Sequence, residues 1–463
     1  MKSTKSTNST TPGASAPGAS TPMASSFVTD KAKTIGLTVT AGLLCLGFLL
    51  GLCWFLRPEK SESEKRELTK FPKFTMDSFL SGEYTDQISV WYADTFPGRE
   101  GMIKAYHGIQ SLFGIRGEQF QQGDVGDAVP DGPMQDLPAP EQPSDTSDTP
   151  VGGTVEDGEK VGGYYLSGDT AYELYSFSDA NARTYASLMN RAAEVTAGKA
   201  KVYDLIVPLH YSFALSGNLQ KSMSLPDAEK VISYMYSGMN GEVQTVDVYA
   251  ALKPHADEYI YFRTDHHWTA TGAYYAYEAF CREAGITPTP LGAYEKMEFR
   301  GFLGTLYSKT GQPAAMDSHP DVVEAYIPKG TNNHRIFDAD GGDPVRYSGG
   351  VVRTDTDRFY AAAASKYNCF LMGDHPLIEI HNENIAADRK GTTVLLVKES
   401  FGNAFAPFLV DSYESVYVVD YRYYNGTLSE LVAEYAVDDV IFLNNVVAAT
   451  GGARLAEMEE FVK

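Results

Sequence analysis

The chain's possible architectures are limited first by one stretch: Thr34 to Leu56 runs without a single charge. It is dense in Leu, Ile, Val and Phe, from Ile35 and Leu37 to Trp54, Phe55 and Leu56. An uncharged apolar run longer than about 18 residues reads as a transmembrane helix. Trp54 falls where an interfacial aromatic sits. A cleaved signal peptide would have an apolar core of about 7–15 residues followed by small residues. Here Arg57, Pro58, Glu59 and Lys60 follow instead, which favours an uncleaved anchor. Cys45 and Cys53 lie within the run and read as small apolar fillers. Residues 1–33 ahead of it are mostly Ser, Thr, Ala, Pro and Gly and are expected to form a disordered tail. Basic residues flank the run on both sides, Lys2, Lys5, Lys31 and Lys33 against Arg57, Lys60, Lys65 and Arg66, so charge does not orient it.

Beyond the span the chain divides by composition. Residues 57–122 carry aromatic and aliphatic positions spaced like short helices, broken at Pro97-Gly98, and are expected to form a helical stem. Residues 123–160 hold ten acids against one lysine, with six prolines, and are expected to be an acidic disordered loop. The whole chain has net charge -22, which argues against nucleic-acid binding and against electrostatic docking on anionic lipid. Four cysteines without C-x-x-C spacing exclude a disulfide scaffold and a zinc ribbon. Thirty tyrosines suit a surface that handles sugars, although tyrosine also fills strands.

From residue 161 to 463 short apolar runs alternate with amphipathic ones. Strands are expected at 202–207, 243–249, 259–262, 393–397, 415–419 and 440–443, and helices at 227–239, 271–284, 402–410 and 427–436. Continuous apolar strands separated by helices indicate an α/β fold with a mostly parallel sheet buried on both faces. Residues 288–392 are richer in Gly, Asp, Tyr and Thr and read as a β-rich insertion.

Two strings can carry chemistry. Thr264 to Thr269 reads Thr-Asp-His-His-Trp-Thr at a turn before a helix. An Asp two residues before a His can hold the imidazole's Nδ1–H, fixing its tautomer. The plain alternative is a helix cap by Thr269 or Asp265 with both histidines solvated or packed. Lys398 to Asn403 reads Lys-Glu-Ser-Phe-Gly-Asn directly after a strand and opens a helix. A serine there has free N–H groups and a helix dipole beneath it, the architecture of a nucleophile turn, although G-x-S-x-G is absent. The plain alternative is an N-cap serine. Asp374, His375, His381, His255 and His319 lack metal-ligand spacing, so neither a metal nor another cofactor is expected. Cys281 and Cys369 read as core thiols, and no P-loop or dinucleotide fingerprint is present.

Taken together, the two strings resemble the DHHW proteins of low-GC Gram-positive bacteria. These are related to the SGNH-hydrolase-like domain of the alginate O-acetyltransferases AlgX and AlgJ. The resemblance spans roughly residues 64–445. It includes Glu67 to Lys73, Asp94 to Arg99, Asp265 to Trp268, Gly373 to Leu377, Glu399 to Asn403 with Pro407-Phe408, and Asp420 to Tyr423. It implies an SGNH-like domain over 161–463, with Ser400 as nucleophile, His267 as its base and Asp265 orienting His267; His266 takes the variable position. Arg422, Asn403 and Trp268 are the implied substrate-side residues. Lys398-Glu399 departs from the Gly-Asp of typical SGNH enzymes, which leaves the oxyanion hole open. The implied function is a membrane-anchored, extracytoplasmic O-acyltransferase or esterase acting on a cell-surface polysaccharide, beside a multi-pass membrane O-acyltransferase. That places the tail in the cytoplasm and the large domain outside. A non-catalytic glycan-binding or export-complex scaffold is the alternative, and a metal-dependent hydrolase a third.

Overall fold

A strand covered on both faces reads as a continuous apolar run, and Val394 to Val397 supply one inside the segment 393–398, all six residues of which are buried. In the computed structural model it forms the middle of an eight-stranded sheet. The structure describes residues 153–341, 344–354 and 363–463, together with 127–130, 132–134 and individual residues between 57 and 96. In chain order the main elements are α1 (Asp179–Thr196), β1 (Lys201–Val207), α2 (Ala228–Ser237), β2 (Val243–Val246) and α3 (Ala270–Ala284). There follow β3 (Asn333–Phe337), β4 (Pro344–Gly350), β5 (Leu377–His381), β6 (Thr393–Lys398) and α4 (Gly402–Leu409). The chain ends with β7 (Ser415–Asp420), α5 (Leu428–Glu434), β8 (Asp439–Asn445) and α6 (Gly452–Phe461).

The sheet order is β4-β3-β5-β7-β6-β8-β1-β2. From β7 to β2 the five strands are parallel, while β5, β3 and β4 continue the sheet antiparallel. α3 packs against α4, whereas α1 packs with α2, α5 and α6, so helices form two separate layers. Each fully buried Val, Leu or Ile of the central strands contributes about 1.5–3 kcal/mol. The crossover leaving β1 runs to β2 on one side, and that leaving β6 runs to β7 on the other. The carboxyl ends of parallel strands beside such a reversal are where an open α/β sheet holds ligands.

Several expectations are corrected. Residues 259–262 form no strand; Tyr261 makes one isolated bridge to Trp268. The strand expected over 243–249 stops at Val246, because Asp247 accepts the Ala250 amide and caps a short helix, Val248–Leu252. The region 288–392 is only partly an insertion. Glu295–Phe302 and Asp321–Ile327 form a separate antiparallel ribbon, but β3, β4 and β5 extend the main sheet. The acidic loop is not free where it is described. Met134 is buried with its amide on Ser237 Oγ, and the Asp127 amide donates to the Phe177 carbonyl.

Chain contacts separate Met1–Glu118 from Gln119–Lys463. In the first unit, Lys60–Ser61 pairs with Arg66–Glu67, and residues 76, 84, 88, 91 and 92 are helical. Arg57 lies over the Trp91 ring at 3.8 Å and donates to Thr95. The expected tail and span at 1–56, and much of the stem, lie outside the described residues. Among the described residues no helix is long and apolar enough to cross a membrane.

Candidate active site

The loop before α3 and the turn after β6 are joined by direct bonds. Thr269 Oγ1 accepts the Gly272 amide, so threonine caps α3 and Asp265 is free for another partner. That partner is His267. Asp265 Oδ1 lies 2.5 Å from His267 Nδ1 and also accepts the His267 amide at 3.0 Å. On the other side of the ring, His267 Nε2 is 2.7 Å from Ser400 Oγ. The N-cap of α4 is Phe401 without a side-chain bond, so the serine hydroxyl does not cap that helix. Ser400 is partly exposed, while Asp265 and His267 are buried.

Asp265 has its second oxygen anchored as well. Oδ2 accepts the Thr305 amide at 2.7 Å and the Thr305 hydroxyl at 3.1 Å. Gly304 must be a glycine, because an added Cβ would lie 2.3 Å from the Asp265 carboxylate. Burial would raise the Asp265 carboxyl, but the neighbouring histidines and the bonds from His267 and Thr305 outweigh it and hold it well below the usual range. The carboxylate therefore stays ionised beside the imidazole.

His266 points elsewhere. Its Nδ1 is 2.6 Å from Thr305 Oγ1, and burial and the charge of His267 hold its pKa down. Asp265, His266 and His267 each offer a ligand atom within 4.8 Å of the others. Yet Asp265 and His267 already use those atoms on each other, on Thr305 and on Ser400.

Of the three expected substrate-side residues, Trp268 and Asn403 are buried and Arg422 is part-buried. Trp268 has no exposed surface, and its Nε1 donates to the Phe401 carbonyl at 3.0 Å, tying the histidine loop to the serine turn. Asn403 is buried and its Nδ2 donates to Asp374 Oδ1 at 2.8 Å. Arg422 binds Asp420 through Nε and Nη2 and also reaches Asp374. With fully buried Lys398, which bonds both Asp374 and Asp420, Asn403 and Arg422 form a part-buried polar cluster beside the serine turn. Burial works against the charges of Asp374 and Lys398, but their mutual attraction prevails, lowering the acid and raising the amine.

Glu399 fills the position where the sequence departs from the Gly-Asp of typical SGNH enzymes. Its carboxylate accepts the Asn445 amide at 3.1 Å and the Phe401 amide at 3.2 Å, and lies 3.2 Å from Ser400 Oγ, whose single proton goes to the nearer His267 Nε2 when the imidazole's own proton is on Nδ1 toward Asp265. Burial raises its pKa, with Arg422 and the backbone donors opposing. The amide following a nucleophilic serine commonly serves the oxyanion; here it faces a carboxylate. Thr305 and the Glu399 contacts were missed at the sequence level. The nearest available signal was Thr305 directly after Gly304.

The chain matches the DHHW protein family over residues 64–138 and 140–419. A solved DHHW family protein from Eubacterium siraeum is 27% identical, covering 67% of this chain and 98% of that chain, with a TM-score of 0.59. Bacillus cereus PatB1, solved with a sulfonyl adduct, is 18% identical over 65% of this chain and 98% of that chain, with a TM-score of 0.51, a likeness of fold. The O-acetyltransferase domain of Pseudomonas putida AlgJ is more distant, at 13% identity, 64% and 98% coverage and a TM-score of 0.34. No curated protein matches the chain. With the family match running through both the histidine loop and the serine turn, and over well more than half the length, the chain belongs to the DHHW protein family.

Proposed function

We propose that this protein is an SGNH-like serine O-acyltransferase or esterase, anchored by residues 34–56 and acting outside the cell on acyl esters of a cell-surface polysaccharide. The observation that carries the reading is the unbroken line Thr305–Asp265–His267–Ser400. His267 Nε2 takes the Ser400 hydroxyl proton as Oγ attacks the ester carbonyl carbon. Asp265 holds the tautomer and steadies the imidazolium. His267 then returns the proton to the departing alcohol, leaving an acyl-serine. A sugar hydroxyl, or water, gives its proton to His267 as it attacks that ester, and His267 passes the proton to Ser400 Oγ as the acyl bond breaks, restoring the free serine. A sulfonyl adduct such as the one on PatB1 is what an activated nucleophile gives with a sulfonylating reagent. A multi-pass membrane acyltransferase is the proposed source of the acyl group, since the donor must cross the membrane.

Full-length protein in detergent, given a chromogenic acetyl ester, should turn it over, and Ser400→Ala should abolish turnover. Absence of any wild-type turnover, on esters and acetylated glycans alike, would favour a glycan-binding scaffold. The Asp265–His266–His267 grouping favours one rival, a metal-dependent hydrolase. Exhaustive chelation separates the two, because the serine mechanism retains its rate and a metal mechanism loses it until zinc or manganese is restored. Protease added to intact cells should digest the chain beyond about residue 60, the stretch just after the apolar run; complete protection until lysis would reverse the proposed orientation.

A further inference from the structure

Tyr367 lies in a short helical turn, Ala363–Cys369, between β4 and β5. Its ring is nearly parallel to the His267 imidazole, with centroids 4.0 Å apart and planes 12° apart. Its hydroxyl donates to the Ser400 carbonyl at 3.0 Å. One side chain therefore touches both the base and the backbone of the nucleophile.

The tyrosine is itself held fast. Phe262 and Phe370 meet its ring edge-on at 6.2 and 5.3 Å, and it is buried. Burial, together with the charges of Glu399, Asp265 and Asp374, keeps the phenol protonated and so a donor. The chain that follows is strained: Leu371, Met372 and Gly373 have φ of 54°, 63° and 99°. Two successive side-chain-bearing residues in that region persist only where the surroundings demand it. The segment ends at Asp374, which takes Lys398, Asn403 and Arg422. One loop thus grips the site twice, over the histidine and under the serine.

Asp265 and Ser400 bond the edges of the His267 ring, which leaves it free to tilt about their axis, and the His266 and Phe401 rings meet it at 35° and 48°, so that among the described residues only Tyr367 lies flat against it. A flat face against the imidazole removes the tilt. Acyl transfer is sensitive to such placement, since a shift of about 1 Å can cost about 100-fold in rate. We propose that Tyr367 is a positioning residue for acyl transfer: it holds the His267 ring in the plane from which Nε2 meets Ser400 Oγ, and it anchors the serine backbone. This rests on the serine acyl-transfer reading above.

The test compares Tyr367→Leu, which loses the flat face, with Tyr367→Phe, which keeps the face and loses the hydroxyl. Full-length wild type, both variants and Ser400→Ala are assayed on the chromogenic acetyl ester, with melting curves for each. Tyr367→Leu should lower kcat by about 10–100-fold with KM little changed. Tyr367→Phe should fall between, losing about two- to ten-fold in kcat for one missing hydrogen bond. A rise in KM at unchanged kcat would make Tyr367 a substrate contact and overturn the proposal. Wild-type kcat in a folded Tyr367→Leu would also overturn it, leaving the serine mechanism intact. Should Tyr367→Leu not fold, Tyr367→Met, which fills the space without a flat face, takes its place with the same expected kcat loss and the same overturning result, while Tyr367→Phe reports on the serine anchor alone. If wild type shows no turnover that Ser400→Ala abolishes, the functional reading and this inference fall together.

Discussion

Adjacent histidines in one short loop do different work because the backbone sends them in different directions. His267 bridges Asp265 and Ser400, whereas His266 ends on Thr305 Oγ1 with a quarter of its side chain exposed. A general base contributes about 10²–10⁴-fold, so His267→Ala should lose at least the lower figure, and Asp265→Asn should lose comparably through the wrong tautomer. Ser400→Ala should match His267→Ala, and the double variant should be no worse, because residues acting as a unit are not additive. His266→Ala should cost far less on the ester assay; a loss there equal to that of His267→Ala would break the assignment. Thr305 offers a sharper check. Thr305→Val keeps the amide bond to Asp265 and removes the hydroxyl's bonds, to Asp265 at 3.1 Å and to His266 Nδ1 at 2.6 Å, of which only the first bears on the acid. One such bond is worth about 0.5–1.5 kcal/mol, so kcat should drop about two- to ten-fold without a change in melting. Unchanged kcat would show that the amide alone orients the acid. Asp265 and His267 were legible because their spacing is local. Thr305 and Tyr367 were not, since they sit 40 and 100 residues downstream of Asp265 and His267 and only the folded loops bring them in.

Elements were legible where one period ruled the segment. The strands β6, β7 and β8 and the helices α3, α4 and α5 fall within a few residues of the expected bounds, because their burial is continuous or strictly one-sided. Reading failed where side chains overrode the period. Tyr259 to Phe262 looks like a strand, yet Phe262 and Thr269 amides donate to His267 and Ile260 carbonyls within the loop, so no partner strand is needed. Composition also misled at Met134 in the acidic stretch, which is buried in the main core beside Ala186 and Gly238. The strands β3 and β4 were read only as part of a β-rich insertion and not as members of the main sheet, because antiparallel additions need no crossover helix to announce them. At the end of β6 the same logic predicts a stability effect. Lys398 is fully buried between Asp374 and Asp420, with Arg422 closing the cluster. Removing one partner of a buried pair costs about 3–5 kcal/mol, because the remaining charge stays desolvated. Lys398→Met should therefore lower the urea midpoint strongly, and adding Asp374→Asn should recover part of the loss. A Lys398→Met chain as stable as wild type would mean that Arg422 alone balances both acids.

At the scale of the whole molecule, global stability should carry the mark of one buried acid that takes no part in the proposed chemistry. Asp204 sits in β1 with no exposed surface. Tyr185 donates to its Oδ1 at 2.6 Å, and Oδ2 has no hydrogen-bond partner. Tyr236 and Asn444 surround the pair as neutral groups, and among the described residues no cation is bonded to it. Burial pushes its carboxyl up to about 7, with the Tyr185 bond opposing. In the unfolded chain an aspartate titrates near 3.9. Below about pH 4 both states hold the proton and the site costs nothing. As pH rises from about 4 to about 7, the unfolded chain releases its proton while the native chain retains it. Stability must fall across that window and then level off once the native carboxyl ionises too. Three units of difference correspond to a loss on the order of 4 kcal/mol. Other acids, such as Glu399 and Asp439, are also raised by burial, so a single titration cannot isolate Asp204. The difference between wild type and Asp204→Asn can, because every other group is common to both. Urea unfolding of the two chains should give a gap that opens in favour of the asparagine variant between pH 4.5 and 7 and stays constant above. Parallel curves over that range would show that the native aspartate ionises as readily as the unfolded one, and that Oδ2 finds a partner in solution.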